Sequence, residues 1–209
     1  MLKYKYKCKW GCNIMEERIK ELLEANSGIV TTKQIEEHGI SRVYIKQLID
    51  KGIISKVKNG IYISQDILED EFYIFQLKNK TAIFSYNTAL YLLSSTERTP
   101  DKIDVTVYSG YNRQRFPNNI RTHYVQKNFL NIGVITVKSP QGFDVRSYNL
   151  ERTICDILKN RNTGIDKEQT NKFIRNMIVH NQVDINKVYE YAKNLKCTKQ
   201  LELVMEWII

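Results

Sequence analysis

The sequence lacks most of the features that mark a membrane, secreted, metal-binding or cofactor-dependent protein. No apolar run approaches the length of a membrane span. Residues 1–14 alternate Lys with Tyr, Cys and Trp and have no apolar core of the signal-peptide kind, so they read as an extension ahead of a more natural helix start at Met15. Of the four cysteines, Cys8 and Cys12 have no second pair at ligand spacing, which argues against zinc. Cys155 and Cys197 fall in apolar helical patterns and read as buried thiols, for which a reducing, cytoplasmic setting is the simplest expectation. The three histidines, His38, His123 and His180, are scattered and form no HxxxH pattern. No Gly-x-Gly-x-x-Gly, Walker loop or Gly-x-Ser-x-Gly is present. Neither a metal nor a cofactor is expected. Repeats, low-complexity tracts and flexible linkers are also missing.

What is present is positive charge. The 209 residues carry a formal net charge of +9, with a sequence pI near 9.3. That balance favours a polyanionic partner, and the length suits one or two domains with material for a core in each.

Residues 31–64 carry the most local order. Thr32 stands where it can cap a short helix over 33–38 that ends at Gly39. Ser41 then caps a second helix over 42–51, closed by Gly52 as a C′ glycine. Beyond it, two alternating apolar runs at 53–58 and 61–63 flank Asn59-Gly60, the strongest short hairpin signal. Helix, tight turn, helix and two-stranded wing make a winged helix-turn-helix, a DNA-binding module. Ile45, Leu48 and Ile49 form the inward stripe of the second helix. Ser41, Arg42, Val43, Tyr44, Lys46 and Gln47 take its opposite face near the N-terminal end, the part of a recognition helix that reaches base edges. Arg and Gln form bidentate bonds to purines there. Lys56, Lys58 and Asn59 sit at the wing, where the lysines can neutralise phosphates. Between Ser41 and Gln65, Arg42, Lys46, Lys51, Lys56 and Lys58 face Asp50 as the lone acid. A helix pair used for protein contact would share some of these features; the wing and the charge favour DNA.

Around this module, 15–26 reads as a first helix and 29–31 as a strand added to the wing. Residues 66–80 read as a connecting helix, acidic at its head and basic at its tail as the macrodipole favours. A second domain is expected from Thr81. It has a helix capped by Ser85, strands at 103–108, 120–125, 134–138 and 143–148, and a helix over 150–159 capped by Asn149. Three further helices follow at 167–180, 185–195 and 199–209, with Asp166, Asp184 and Thr198 as caps. Helices, then strands, then a helical C-terminal tail indicate an α+β fold behind the winged helix-turn-helix. The expected division is 1–14 extension, 15–80 DNA-binding domain and 81–209 α+β domain.

Several segments together resemble one family. They are the wing Gly60-Ile61-Tyr62, the run from Ser85 to Leu92, Pro100 with the strand Ile103-Asp104-Val105-Thr106-Val107, and Glu151 to Leu158. Their order and spacing are similar to those of the AbiEi family, the antitoxins of type IV toxin–antitoxin (abortive-infection, phage-defence) systems, which also act as transcriptional autorepressors. The resemblance runs over most of the chain from about Met15 and leaves out residues 1–14. It implies an N-terminal repressor domain and a C-terminal domain that counters a co-encoded toxin. One winged module reads only a few base pairs, so an inverted-repeat operator and self-association on that DNA are expected on physical grounds. The implied toxin is a nucleotidyltransferase-like protein that forms no stable complex with its antitoxin.

The second domain has a physical clue of its own. No acidic residue lies between Asp104 and Asp144, whereas Arg113, Arg115, Arg121, Lys127 and Lys138 do, interleaved with Tyr108, Tyr111, Phe116, Tyr124 and Phe129. Basic side chains among aromatics suit phosphates and unpaired bases; a solvated basic edge on a strand-rich core would look the same. Glu151 in a first helical turn and the i,i+4 pair Arg152–Asp156 read as structural rather than catalytic. Asp104 with Thr136-Val137-Lys138 resembles a restriction-nuclease pattern in which Thr136 replaces the second carboxylate, so no such activity is expected. The reading is a cytoplasmic repressor-antitoxin and not an enzyme. The alternative is a general winged-helix regulator whose C-terminal domain senses a ligand or dimerises, and a third class is a nucleic-acid enzyme targeted by the winged module.

Overall fold

The computed structural model describes residues 7–96, 98–114, 116–159, 167–180 and 182–206, with backbone alone for 7–13 and 167–170. The chain forms two compact units, Met1–Ile74 and Phe75–Ile209.

In the first unit, α1 (Lys7–Ala25) leads into β1 (Ile29–Thr31), α2 (Thr32–Glu37), α3 (Arg42–Asp50) and the hairpin β2 (Ile54–Lys58) and β3 (Ile61–Ser64). The strands form one antiparallel sheet in the order β1-β3-β2. The apolar stripes converge as the sequence requires: Ile19, Leu22, Ile35, Ile45, Leu48 and Tyr62 share a single core. Two expectations are corrected here. The first helix begins at Lys7, so residues 7–14 continue it rather than forming a separate extension; residues 1–6, like the side chains of Cys8 and Cys12, lie outside the described residues. Thr31, not Thr32, caps α2. Its Oγ1 accepts from Gln34 N at 3.3 Å, while Gln34 Oε1 accepts from Thr31 N at 2.8 Å. That reciprocal capping box needs Gln at the third helical position, which only a cap at Thr31 provides.

The turn after α3 closes as expected. Gly52 N donates to Ile49 O at 2.8 Å and Ile53 N to Leu48 O at 3.0 Å, the paired bonds of a Schellman motif. Gly52 holds φ +70, and a Cβ there would lie 2.7 Å from Gln65 Nε2. In the wing, a bulge falls between Lys56 and Lys58, just before Asn59-Gly60.

The connecting helix is shorter than expected: α4 runs Glu71–Lys78, and the division between units falls within it, at Ile74/Phe75, rather than at Thr81. The bonds of Phe75 and Gln76 account for that position. The Phe75 ring packs against Phe84 and Phe116 at 6.1 and 5.1 Å between centroids. Gln76 Nε2 donates to Ala82 O and Arg146 O at 3.0 and 2.7 Å, and its Oε1 accepts from Arg146 N at 2.7 Å.

The second unit continues with β4 (Ile83–Phe84), α5 (Tyr86–Leu92), β5 (Ile103–Tyr108), β6 (Ile120–Val125), a 3-10 turn (Lys127–Phe129), β7 (Val134–Lys138) and β8 (Asp144–Tyr148). Four helices follow: α6 (Leu150–Lys159), α7 (Lys167–Val179), α8 (Ile185–Leu195) and α9 (Thr198–Met205). The sheet order is β6-β5-β4-β8-β7, parallel at β5–β6 and β4–β8 and antiparallel elsewhere. Its central strand β4 has two residues, too few to show alternation in the sequence. Asn149 and Asp184 cap as expected, accepting from Arg152 N at 3.0 Å and Asn186 N at 2.9 Å. Cys197 takes the position expected of Thr198 at the head of α9, and Asp166 lies outside the described residues. Cys155 and Cys197 are buried in the helical core with Ile154, Val188, Leu195 and Leu201.

Candidate nucleic-acid interface

Helix α3 buries Ile45 and Leu48 at 5% and 3% exposure and turns its other faces to solvent. Ser41, Arg42, Val43, Lys46 and Gln47 are all exposed. Val43, at 73%, is the most exposed large apolar residue among those described. Tyr44 departs from the expected arrangement: it is half-buried and packs against the core of the unit, so it does not share the open face. Its position beside Ile45 on a short helix draws the ring inward, where burial of its apolar body is favourable.

Arg42, Lys46 and Lys56 meet across a cleft between α3 and the wing. With Thr32, Ile45, Ile49 and Tyr62 they line an open space of about 480 Å³. Lys58 and Asn59 are exposed at the hairpin tip, outside that lining. Three cations around one concave strip raise the local anion concentration, and each can neutralise a phosphate. Glu36 carries no signal in the sequence pattern of the winged unit. This α2 residue holds Arg42 through two contacts, Nε to Oε1 and Nη2 to Oε2, the second at 3.3 Å, and raises the Arg42 pKa. The pair is exposed, so it steers the guanidinium rather than stabilising the fold.

The expected second basic surface is divided by the fold. Arg113 and Arg121 line one cavity of about 360 Å³ with Lys102, Phe116 and Asn118. Arg121 also reaches Asp104 at 3.5 Å. Lys127 is exposed in the 3-10 turn, and Arg115 lies outside the described residues. Lys138 stands on β7, at the opposite edge of the sheet from β6, and pairs with Asp144 at 2.7 Å. Tyr108, Tyr111 and Phe116 pack on one another at 5.5 and 5.6 Å rather than standing open, whereas Tyr124 is 47% exposed.

The nuclease-like residues are not assembled into a site. Asp104 on β5 and Thr136 and Lys138 on β7 have β4 and β8 between them, and Asp104 is buried against His123 at 2.8 Å. Arg152 and Asp156 do form the expected pair, 3.0 Å apart and wholly internal. Among the described residues, no group of three or more His, Cys, Asp or Glu is placed to hold a metal ion, and no helix is long and apolar enough to cross a membrane.

Three helices, a three-stranded wing sheet and a cationic cleft beside an exposed helix face define the class: a winged helix-turn-helix unit of the regulator type. Residues 17–65 match the family model described as "Transcriptional regulator, AbiEi antitoxin". The match ends at 65, so the resembling segments from Ser85 to Leu158 lie beyond it. No curated protein matches the chain. The crystal structure of the RV2827C protein from Mycobacterium tuberculosis is similar over 90% of this chain and 77% of its own, at 12% identity and a TM-score of 0.42.

Proposed function

We propose that this chain is the antitoxin of a type IV toxin–antitoxin system and represses its own operon by binding an inverted-repeat operator through the winged unit. The observation that carries the DNA-binding half is the Arg42–Lys46–Lys56 cleft beside the exposed N-terminal face of α3. In this reading Arg42, Val43, Lys46 and Gln47 face base edges and Ser41 the adjoining backbone. Lys56, Lys58 and Asn59 follow phosphates at the wing. One such unit reads few base pairs, so two copies on a repeat supply the specificity. The C-terminal unit carries the antitoxin role against a co-encoded nucleotidyltransferase-like toxin, in the cytoplasm and without a stable complex. Arg113, Arg115, Arg121 and Lys127 are the residues to examine for that role.

The deciding experiment pairs footprinting of the DNA upstream of the gene with growth of cells expressing the neighbouring downstream gene. A protected inverted repeat and restored growth support both halves. Absence of any footprint removes the repressor assignment, and unrelieved growth arrest removes the antitoxin assignment. The runner-up, a winged regulator whose C-terminal unit senses a ligand, keeps the same DNA-binding half. A cavity in the C-terminal unit favours it.

A further inference from the structure

Six buried side-chain polar atoms among the described residues have no hydrogen-bond partner, and all six belong to the C-terminal unit. They are Ser85 Oγ, Asp104 Oδ2, Thr106 Oγ1, Thr122 Oγ1, Arg152 Nη2 and Asp156 Oδ2. Folded proteins pair nearly all such atoms, because leaving one dry costs about 1–3 kcal/mol. Contacts link several of these residues. His123 Nε2 lies 2.8 Å from Asp104 Oδ1, and the Tyr86 ring stacks on His123 at 3.8 Å. Burial raises the Asp156 pKa, opposed first by Arg152 and to a smaller extent by His123. Tyr86 holds φ +49, a left-handed backbone that L residues adopt at a cost. Unsatisfied polar atoms and local strain concentrate where proteins build binding sites.

Beside this cluster opens a cavity of about 370 Å³. Three rings (Tyr86, Tyr124 and Phe129), two ammonium groups (Lys159 and Lys196) and the buried carboxyl residue Asp156 line it. Neither lysine has an ion-pair partner among the described residues. Two such cations suit an anion, and phosphate takes their charge-assisted bonds. Aromatic faces suit a planar ring, and Tyr124 presents one at 47% exposure. A carboxylate suits a donor, either a sugar hydroxyl or a ring amino group. The volume lies at the small end of ligand pockets, room for one nucleotide and not for a strand.

We propose that this cavity binds a single nucleoside monophosphate unit, with its base against Tyr86 and Tyr124, its phosphate on Lys159 and Lys196, and Asp156 accepting from a hydroxyl or amino group. The unit can be a free nucleotide or the terminal residue of an RNA strand. Winged-unit DNA binding is not needed for it.

Calorimetric titration of the full chain with AMP, GMP, CMP and UMP is the test, alongside the matching nucleosides, inorganic phosphate and a six-nucleotide single-stranded RNA. At least one monophosphate is expected to bind one-to-one, and its nucleoside to bind about tenfold more weakly or less, as loss of a charge-assisted contact implies. The exposed substitutions Lys159→Gln, Lys196→Gln and Tyr124→Ala should each weaken that binding while leaving circular dichroism unchanged. Competition by the RNA at lower concentration than the monophosphate assigns the site to a strand end; its absence assigns it to the free nucleotide. Failure of all four monophosphates to bind overturns the proposal. So does binding that all three variants retain in full.

Discussion

Arg152 is fully buried, and its guanidinium is held on several sides. Nε donates to Asp156 Oδ1 at 3.0 Å, and Nη1 donates to Phe129 O and Ile132 O at 2.7 and 3.0 Å. The guanidinium carbon stands 4.3 Å over the Tyr148 ring. Burial pushes the Tyr148 hydroxyl upward, so it stays protonated and donates to Leu130 O at 2.8 Å. Gly133, at φ +75, lets the chain pass so close that a Cβ there would lie 2.6 Å from Arg152 Cβ. Replacing Arg152 with Met leaves a buried carboxyl and two carbonyls without their donor. The expected loss is about 3–5 kcal/mol, measured by urea unfolding, and a loss under about 1 kcal/mol would mean Asp156 is neutral and the pair dispensable. Val43 poses a different question at the same scale. An apolar side chain exposed on a recognition helix is suited to a thymine methyl. Replacing single thymines of the bound DNA with deoxyuridine should weaken binding of the wild type at one position per half-site and have no effect on Val43→Ala. Insensitivity of the wild type at every position removes that role.

Helix caps and helix pairs decide how the winged unit presents its face. Thr31→Ala removes one arm of the capping box and should cost about 1 kcal/mol in thermal unfolding. Glu36→Gln releases Arg42 from its partner. Affinity for non-specific DNA should then rise and its salt dependence steepen by up to about one phosphate contact, because each neutralised phosphate adds roughly 0.9 to the slope. Unchanged salt dependence would show that Arg42 leaves Glu36 unaided or never reaches the DNA. Much of this architecture was legible in the sequence. Strands β5, β6 and β7 and helices α6 and α8 fall at the expected residues: β5 alternates apolar and polar residues, β6 and β7 are short runs rich in β-branched residues bounded by turn residues, and the helices carry apolar residues at helical spacing behind the caps Asn149 and Asp184. Strand β4 was not legible, since Ile83-Phe84 is too short to alternate. The cap of α2 is Thr31 and not the adjoining Thr32, and only Gln34 distinguishes the two threonines. On the site, the charged face of α3 was readable from spacing, but the Glu36–Arg42 clasp joins two helices and the Asp156 cavity gathers residues from 86 to 196, which no local pattern encodes.

At the scale of the molecule, the division within α4 sets where the chain can be cut. A C-terminal fragment beginning at Thr81 would discard Phe75 and Gln76, whose ring contacts and three hydrogen bonds belong to the second unit. A fragment from Asp70 is expected to fold and to protect cells from the toxin without repressing the operon, as circular dichroism and growth during toxin induction would show; protection by the winged unit alone would reverse that division of labour.

In the proposed function, α3 and the wing read an operator. The most direct test is a set of binding isotherms, at several salt concentrations, on the DNA upstream of the gene. Arg42→Ala and Gln47→Ala should each lose about 1–3 kcal/mol of discrimination against unrelated DNA. Lys56→Ala and Lys58→Ala should weaken binding to every sequence and flatten the salt slope. Unchanged operator affinity and salt dependence in all four variants would mean that this face does not bind the operator.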